Sequence, residues 1–183
     1  SYLHVSPMFH STDLKSTALT LQGGGHAYLG EFSTSGVLDA IQRHRVTIAS
    51  LVPTMIIRML QDETFDGYDI SSLRMVSYGT SPMAVEWIRR AMERFQGVGL
   101  QQCYGLTETS PILSILDVDD HRRAVETGDY SRIGSAGRAL ACVELRIADD
   151  DGNDVAPGEP GEIVVRAPNV AKGYHNRPEE NEA

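Results

Sequence analysis

Residues 101–111, Gln-Gln-Cys-Tyr-Gly-Leu-Thr-Glu-Thr-Ser-Pro, combine groups that could hold a flat ligand and a metal ion. Tyr104 offers a ring for stacking, and Gly105 allows close approach to the backbone. Thr107 offers a hydroxyl, and Glu108 offers a carboxylate, the kind of oxygen ligand that Mg²⁺ prefers. From spacing alone, a buried aromatic beside a bend and a solvated surface carboxylate fit these residues equally well.

Two further segments carry polar groups next to strand-like stretches. Residues 78–82, Tyr-Gly-Thr-Ser-Pro, precede a predicted helix, so their backbone N–H groups could face an anion or a flat ring, although such a turn is commonly just a helix cap. His10 ends a strand-like start and could point into a cleft, but a packed or partly exposed histidine is the simpler interpretation. Residues 23–25, Gly-Gly-Gly, lack the Lys-Ser/Thr of a phosphate loop and are predicted to end a helix in a left-handed turn.

The composition excludes several classes of function. The 183 residues carry 16 basic and 25 acidic side chains, a formal net charge of -9, and no Lys/Arg run, which argues against a nucleic-acid or anionic-membrane surface. Cys103 and Cys142 lack CxxC spacing, so neither a disulfide framework nor a structural metal is indicated. No signal peptide or apolar stretch of about 18 residues occurs, and we predict a reducing, cytoplasmic setting without an integral membrane segment.

Helix-like and strand-like segments alternate up to about residue 95. This alternation predicts an α/β fold with a mostly parallel sheet and flanking helices. The second predicted helix should bury one apolar face behind a polar N-cap, with Val37, Leu38 and Ile41 on that face and Thr34 or Ser35 as the cap. The predicted strands are residues 46–52 and 73–79, and the predicted helices are residues 11–22, 34–45, 53–62 and 83–95.

Proline positions predict where two of these helices begin. Pro53 is expected to be a first helical residue, because its missing N–H is not needed there. This helix is then predicted to face the core with three residues, Ile56, Ile57 and Leu60. Ser81 and Pro82 repeat the same helix-start pattern further along the chain.

The pattern changes after about residue 132, where short strands are separated by Asp-Gly and Pro-Gly turns. Val143, Leu145 and Ile147 alternate with charged residues, which predicts one buried and one wet face. We therefore predict an α/β part over residues 1–131 and a β-rich, antiparallel or barrel-like subdomain over residues 132–183. The strand-like first residues and the helix-like last residues suggest a piece of a longer protein.

Four motifs in order resemble one known family. Tyr-Gly-Leu-Thr-Glu-Thr at 104–109, together with residues 78–82, Gly-Ser-Ala-Gly-Arg at 134–138 and the stretch 157–181, resembles the adenylate-forming superfamily of acyl-CoA synthetases, luciferases and adenylation domains. The resemblance covers essentially the whole chain. It looks nearest to fatty-acyl-CoA ligases in segments such as Asn-Val-Ala-Lys-Gly-Tyr-His-Asn at 169–176.

The resemblance implies a reaction and a set of site residues. Members activate a carboxylic acid with ATP and Mg²⁺ to give an acyl-adenylate, and then pass the acyl group to a thiol such as coenzyme A. The implied roles are adenine stacking for Tyr104, nucleotide binding for Gly105, contact with the AMP phosphate for Thr107, Mg²⁺ binding for Glu108, lining of the adenine and acyl sites for Gly79, Thr80 and Ser81, and a place at the acyl carboxylate for His10.

The chain also departs from the family pattern. Thr80 and Ser81 stand where smaller residues are common, and Cys103 replaces a frequent glycine or alanine. The resemblance places the phosphate loop before Ser1 and the ribose aspartate and catalytic lysine after the 169–181 region. Asp129, Lys15 and Lys172 therefore match neither the aspartate nor the lysine. We expect a central segment of the large N-terminal domain that is inactive alone.

The sequence leaves three functional interpretations. The first is an ATP-dependent acyl-CoA ligase of the fatty-acid type, whose partners are a small carboxylic acid, ATP and coenzyme A. The second is an adenylation domain that loads a carrier-protein thiol. The third is a non-catalytic nucleotide-binding module, against which the intact Tyr104, Thr107 and Glu108 argue. The identity of the acid and the oligomeric state cannot be read from these residues.

Overall fold

The computed structural model describes residues 1–10 and 15–182. Two short 3-10 helices, Phe65–Gly67 and Thr107–Thr109, interrupt the regular elements. The strands are β1 Tyr2–His4, β2 His26–Tyr28, β3 Ile48–Leu51, β4 Met75–Gly79, β5 Gly99–Tyr104, β6 Ser114–Leu116, β7 Arg138–Ala139, β8 Glu144–Ala148 and β9 Glu162–Arg166. The helices are α1 Lys15–Leu21, α2 Thr34–His44, α3 Pro53–Gln61, α4 Val85–Arg94, α5 Val118–Thr127 and α6 Pro178–Glu182.

A seven-stranded sheet forms the centre of the fold. Its order is β2-β1-β3-β4-β5-β6-β7, in which the first five strands are mutually parallel and β6 and β7 pair antiparallel. A separate antiparallel pair joins β8 to β9. The predicted α/β class, a mostly parallel sheet with flanking helices followed by a β-rich part, is confirmed.

The face of α2 that the sequence marked as apolar is buried, because Val37, Leu38 and Ile41 have no exposed surface. The predicted cap is wrong by one or two residues. Ser33 is the N-cap, with extended backbone and a side chain that accepts from the Gly36 N–H at 3.1 Å, whereas Thr34 already has helical geometry. A cap is defined by its extended backbone rather than by residue type, and neighbouring Ser and Thr residues look alike in a sequence.

Helix α3 begins at Pro53 as predicted, but its buried face differs by one residue. Ile56 and Leu60 are buried, whereas Ile57 is only half-buried and Met59 takes its place in the core. The spacing i, i+3 and i+4 explains this, since residues 56, 59 and 60 share one face while position 57 lies about 100° away from position 56.

Two predicted boundaries are corrected by the backbone. Helix α4 begins at Val85 with Ala84 as its N-cap in an extended conformation, not at Ser81 and Pro82, and Thr80 has a left-handed conformation (φ 69°) directly after β4. Strand β1 ends at His4, so His10 lies in a turn in which its N–H bonds to the carbonyl of Pro7 at 2.9 Å. Residues 11–14 of the first predicted helix lie outside the described residues.

The glycines after α1 have the predicted conformation. Gly23 is left-handed (φ 73°) and lies two residues after the end of α1, and Gly24 donates to the carbonyl of Leu19 at 2.8 Å. These glycines therefore end a helix, as the missing Lys-Ser/Thr indicated.

The last part of the chain follows its predicted alternation only partly. Val143 is buried and Ile147 is half-buried, but Leu145 is 36% exposed, so the inner face of the hairpin is incompletely covered by the described residues. The helix at the end of the chain is present as α6. The division between residues 131 and 132 stays a prediction. Among the described residues no helix is long and apolar enough to cross a membrane.

Candidate functional site

Three neighbouring parallel strands end at the same edge of the large sheet. Strand β3 ends at Leu51, β4 at Gly79 and β5 at Tyr104, and the register pairs Leu51 with Tyr78 and Gly79 with Cys103. In open α/β sheets, ligands bind beyond the carboxyl ends of such strands. The segments that the sequence singled out at 78–82 and 104–108 are therefore brought side by side.

The close pairing of β4 with β5 requires a glycine at position 79. A Cβ atom added to Gly79 would lie 2.2 Å from the carbonyl oxygen of Cys103. The next residue, Thr80, is β-branched yet has a left-handed backbone (φ 69°), which costs roughly 1–3 kcal/mol. Thr80 and Ser81 are both exposed, so their side chains border the open end of the sheet.

Two adjacent cavities open at this edge, and Tyr104 and Gly105 form part of the wall that both share. The larger has a volume of about 260 Å³ and the smaller about 50 Å³. Both cavities are lined by Tyr78, Thr80, Cys103, Tyr104 and Gly105. The larger is completed by Ser81, Pro82, Met83, Ile88, Gln102, Leu106 and residues 133–136, and the smaller by Ser50, Leu51, Ser77, Gly79, Pro111 and Ile112.

The segment at residues 133–136 is held against the sheet by β6. The Ser114 hydroxyl, which is almost fully buried, donates to the carbonyl oxygen of Ala136 at 2.7 Å. Gly137 then turns with a left-handed backbone (φ 81°), and an added Cβ would lie 2.1 Å from the Ile115 carbonyl. Residues 134–138 were recognised as a motif in the sequence, but the sequence did not indicate that part of this motif lines a cavity.

The loop that carries Thr107 and Glu108 is built around Thr109. The Thr109 side chain is 3% exposed, and its hydroxyl oxygen accepts from the Leu106 N–H at 2.9 Å while lying 2.9 Å from the Leu106 carbonyl. These bonds close the 3-10 turn of residues 107–109 and leave Thr107 exposed and Glu108 half-buried. Sequence reasoning missed Thr109, although it belongs to the motif that contains Glu108.

A distant segment, residues 169–174, lies along the same loop. The Ala171 N–H donates to the carbonyl of Glu108 at 2.7 Å, and the Asn169 amide donates to the carbonyl of Thr109. The Tyr174 hydroxyl donates to Glu108 Oε1 at 2.7 Å. This hydrogen bond lowers the pKa of the Glu108 carboxyl below its ordinary value, so the side chain stays ionised.

Glu108 has the chemistry of a magnesium ligand. Within the described part of the chain, no three His, Cys, Asp or Glu residues cluster in a way that could hold a metal ion. A single carboxylate fits Mg²⁺ better than other metals, because Mg²⁺ is commonly bound by one or two carboxylates together with phosphates and water. The residues present therefore fit an ion that arrives with a phosphate ligand.

Thr107 and Glu108 line neither cavity but lie on the turn that follows the shared wall, and two other residues discussed from the sequence lie elsewhere. His10 is exposed and is not among the residues that line either cavity, so its place at an acyl carboxylate stays a prediction. Asp129 lies in an exposed loop after α5, where its carboxylate accepts from the Ser131 N–H at 2.9 Å. This local turn gives Asp129 a structural role, and its exclusion as the ribose aspartate stays a prediction.

Below the cavities, a buried tyrosine and a buried histidine form a pair that the sequence did not indicate. Tyr78 and His121 are 4% and 2% exposed, and the Tyr78 hydroxyl lies 2.9 Å from His121 Nε2. His121 Nδ1 lies 2.7 Å from the carbonyl oxygen of Asp117, which can only accept. Nδ1 therefore carries a proton, and because burial lowers the pKa of His121 the neutral ring leaves Nε2 to accept from the Tyr78 hydroxyl.

Removing the Tyr78 hydroxyl should destabilise the fold measurably. Tyr78→Phe leaves the buried Nε2 of His121 without a donor, which is expected to lower the free energy of unfolding by about 1–3 kcal/mol. Urea unfolding of the chain would measure this change. Tyr28→Phe is the matched control, because Tyr28 is 62% exposed and should change little. Equal stabilities for the two variants would contradict the buried hydrogen bond.

The same histidine should make stability depend on pH. Burial lowers the pKa of His121 below its ordinary 6.5. Below about pH 6.5 the unfolded chain therefore takes up a proton here that the folded chain does not, and the free energy of unfolding falls with decreasing pH, by at most about 1.4 kcal/mol per pH unit. Urea unfolding at pH 7.5 and 5.5 should show a larger loss for the wild type than for His121→Gln.

Comparison with known proteins gives consistent matches along the chain. The sequence profile of the family described as AMP-binding enzyme matches residues 1–175. The indoleacetate–CoA ligase of Aromatoleum aromaticum is 39% identical over 172 residues, covering 93% of this chain and 32% of that protein. The chain thus spans about a third of the length of this relative.

Solved structures give the same result for the fold. The amide bond synthetase McbA from Marinactinospora thermotolerans superposes with a TM-score of 0.84 at 33% identity, covering 99% of this chain and 35% of that one. The O-succinylbenzoate coenzyme A synthetase of Bacillus subtilis, in complex with ATP and magnesium ion, superposes with a TM-score of 0.79 at 32% identity and with the same coverage.

Proposed function

The chain belongs to the AMP-binding enzyme family, and we propose that it carries the base and acyl sites of an ATP-dependent ligase that forms an acyl-adenylate and then a CoA thioester. The observation that carries the proposal is the pair of cavities that share Thr80, Tyr104 and Gly105. An acyl-adenylate joins an acyl group to a nucleotide through one phosphate. The acyl group and the nucleotide therefore need adjacent sites that share one wall.

We assign the larger cavity to the adenine base. Tyr104 contributes a ring against which a flat base can stack, and residues 80–83 also line this cavity. The segment 133–136, held by Ser114, completes its lining. Backbone of this kind recognises a ring by shape and by its edge groups, which explains why few charged side chains line the cavity.

Thr107 and Glu108 would act at the phosphates. Both lie on the short turn that follows Gly105 and Leu106, so they are close in the chain to the shared wall although neither lines a cavity. The Thr107 hydroxyl is exposed and can donate to a phosphate oxygen, while the ionised Glu108 carboxylate holds the metal. A bound Mg²⁺ would neutralise negative charge on the phosphates as the carboxylate of the acid attacks. Pyrophosphate is the leaving group of this step.

The smaller cavity, about 50 Å³ in volume, is assigned to the part of the acyl site that this chain supplies. It is lined by Pro111 and Ile112 on one side and by the ends of β3 and β4 on the other. The sequence predicted a fatty acid, but the acids named for the two CoA ligases compared above, indoleacetate and O-succinylbenzoate, each contain an aromatic ring. We therefore propose an acid with an aromatic ring as substrate, with a fatty acid as the alternative.

Coenzyme A is the proposed acceptor because two of the three compared proteins are CoA ligases. A carrier-protein thiol remains the second candidate from the sequence, and the amide bond synthetase adds an amine as a third possibility. A cytoplasmic location, where ATP and coenzyme A are available, also stays a prediction.

A panel assay on the enzyme that contains this chain tests the proposal. Pyrophosphate release is measured with ATP, Mg²⁺ and a series of arylacetic, cinnamic, benzoic, short-chain and long-chain acids, first without acceptor and then with coenzyme A, a carrier protein or an amine. We expect release with aromatic acids and a CoA ester as product. Absence of acid-dependent pyrophosphate release across the panel would support the non-catalytic module instead.

The 183-residue chain serves as the negative control in the same panel. The phosphate loop and catalytic lysine that the family resemblance implies do not occur among these residues. Stabilising the transition state of adenylyl transfer needs several charges acting together, so one carboxylate and one hydroxyl should give no measurable CoA ester. CoA-ester formation by the chain alone would contradict this expectation.

A further inference from the structure

The carboxylate of Glu108 is connected to a residue that is remote in the sequence. Tyr174, 66 residues further along the chain, donates its hydroxyl to Glu108 Oε1 at 2.7 Å. The bond joins an ionised acceptor to a phenolic donor, which makes it stronger than a bond between two neutral groups. It engages one carboxylate oxygen, Oε1, and the backbone N–H of Glu108 also hydrogen-bonds to the carboxylate.

Tyr174 is itself held in place by α6. The side-chain amide of Asn181 makes two bonds to the backbone of Tyr174, accepting from its N–H at 2.7 Å and donating to its carbonyl at 2.9 Å. Gly173 allows this contact, because a Cβ atom there would lie 2.6 Å from Asn181 Oδ1. A tyrosine that is 50% exposed is thus fixed through its backbone rather than by burial.

The backbone of the two segments is joined as well. The Ala171 N–H donates to the carbonyl of Glu108 at 2.7 Å, and Asn169 donates to the carbonyls of Thr109 and Ile112. Glu108 is therefore held at its main chain by Ala171 and at its side chain by Tyr174. The two contacts on one residue restrict both the position and the rotamer of the carboxylate.

From these contacts we propose that Tyr174 is a positioning residue for the magnesium site: its hydroxyl holds Glu108 Oε1 and so fixes the orientation in which the carboxylate is presented to the metal, and Asn181 holds Tyr174. This role rests on the proposed function of Glu108 as the metal ligand. A glutamate side chain that is already ordered loses less conformational freedom when the ion binds. Partners that orient a metal ligand in this way commonly change metal affinity by about 10–100-fold.

The first test measures side-chain order in the chain itself, without metal or nucleotide. Carbon relaxation at Glu108 Cγ gives an order parameter for the carboxylate arm in the wild type and in Tyr174→Phe. We expect a clear fall in this order parameter for Tyr174→Phe and a smaller fall for Asn181→Ala. Tyr28→Phe, a substitution on the opposite edge strand, should leave it unchanged. Equal order in the wild type and in Tyr174→Phe would overturn the proposal.

The second test measures metal dependence in the enzyme that contains this chain. For Tyr174→Phe we expect the Mg²⁺ concentration that gives half-maximal pyrophosphate release to rise on the order of tenfold, with most of the rate recovered at saturating Mg²⁺. A purely structural role for Tyr174 would lower the rate without changing this concentration. An unchanged or lower Mg²⁺ requirement would overturn the proposal, the latter because Tyr174 would then compete with the ion.

The two tests separate failure of this proposal from failure of the proposed function. If Glu108→Gln retained normal Mg²⁺-dependent turnover, the metal assignment of Glu108 would be wrong and the positioning role would fall with it. If Glu108→Gln abolished turnover while Tyr174→Phe changed neither side-chain order nor Mg²⁺ requirement, the function would stand and only the role of Tyr174 would be lost.

Discussion

Glu108→Gln is expected to slow acid-dependent pyrophosphate release by about 100-fold to 1,000-fold in the enzyme that contains this chain. The amide has nearly the shape of the carboxylate, and its oxygen can still accept from the Tyr174 hydroxyl. The substitution therefore removes the negative charge while leaving the loop intact. Because a neutral amide is a much poorer ligand for Mg²⁺ than a carboxylate, charge on the phosphates would no longer be neutralised.

The measurement is ATP–pyrophosphate exchange over a range of Mg²⁺ concentrations. Glu126→Gln is the matched control, since Glu126 is an exposed carboxylate on α5 that lines neither of the two proposed substrate cavities. It removes the same charge and should leave exchange unchanged. A Glu108→Gln enzyme with normal exchange and normal Mg²⁺ dependence would show that another residue holds the ion.

Gly105→Ala is the substitution from which we expect the largest loss of stability. A Cβ atom added to Gly105 would lie 1.7 Å from the carbonyl oxygen of Pro111 and 2.7 Å from its carbonyl carbon. Both are backbone atoms, so no side-chain rotation can relieve the overlap. Either β5 or the loop at residues 111–112 must move, and we expect the free energy of unfolding to fall by about 3 kcal/mol or more.

Gly30→Ala is the matched control for this substitution. An added Cβ at Gly30 meets no atom within 4 Å, and its backbone is not left-handed. Its effect on the free energy of unfolding should therefore stay within about 0.5 kcal/mol, or be slightly stabilising because alanine restricts the unfolded chain. Urea unfolding of the chain compares the two variants directly. Similar stabilities would mean that the backbone at Gly105 and Pro111 is not closely packed.

Gly105 also connects stability with the site, because it belongs to the wall between the two cavities. Glycine is needed there for the fold before any ligand is considered. The glycine of this motif therefore serves both the stability of the fold and the shape of the cavities. A loss of activity in Gly105→Ala would not by itself assign a ligand to either cavity.

The location of one local motif could be predicted from the sequence, whereas the roles of its residues stay predictions. Tyr104, Thr107 and Glu108 lie within five residues of one another, and the structure places all three at the carboxyl ends of the parallel strands. The apolar face of α2 was likewise predictable, because helical periodicity depends only on spacing along the chain. Sequence patterns of this kind record interactions over three or four residues.

Other features depended on how the backbone turns. Thr80 was expected to lie just before a helix, yet it has a left-handed conformation and α4 begins only at Val85. A β-branched residue rarely adopts that conformation, and the close approach of Gly79 to Cys103 in the neighbouring strand accompanies it. No local preference predicts a strained residue, because the surrounding structure must hold it in place.

The sequence alone determined the family, the α/β class and the local motif of Tyr104, Thr107 and Glu108, because each follows from residue type and short-range spacing. Only the tertiary structure decided that two cavities share one wall and that Tyr174, 66 residues away, contacts Glu108. Such contacts depend on strand register and on the path of the chain between the elements. Neither the strand register nor the path of the chain can be read from the sequence spacing of the residues that are in contact.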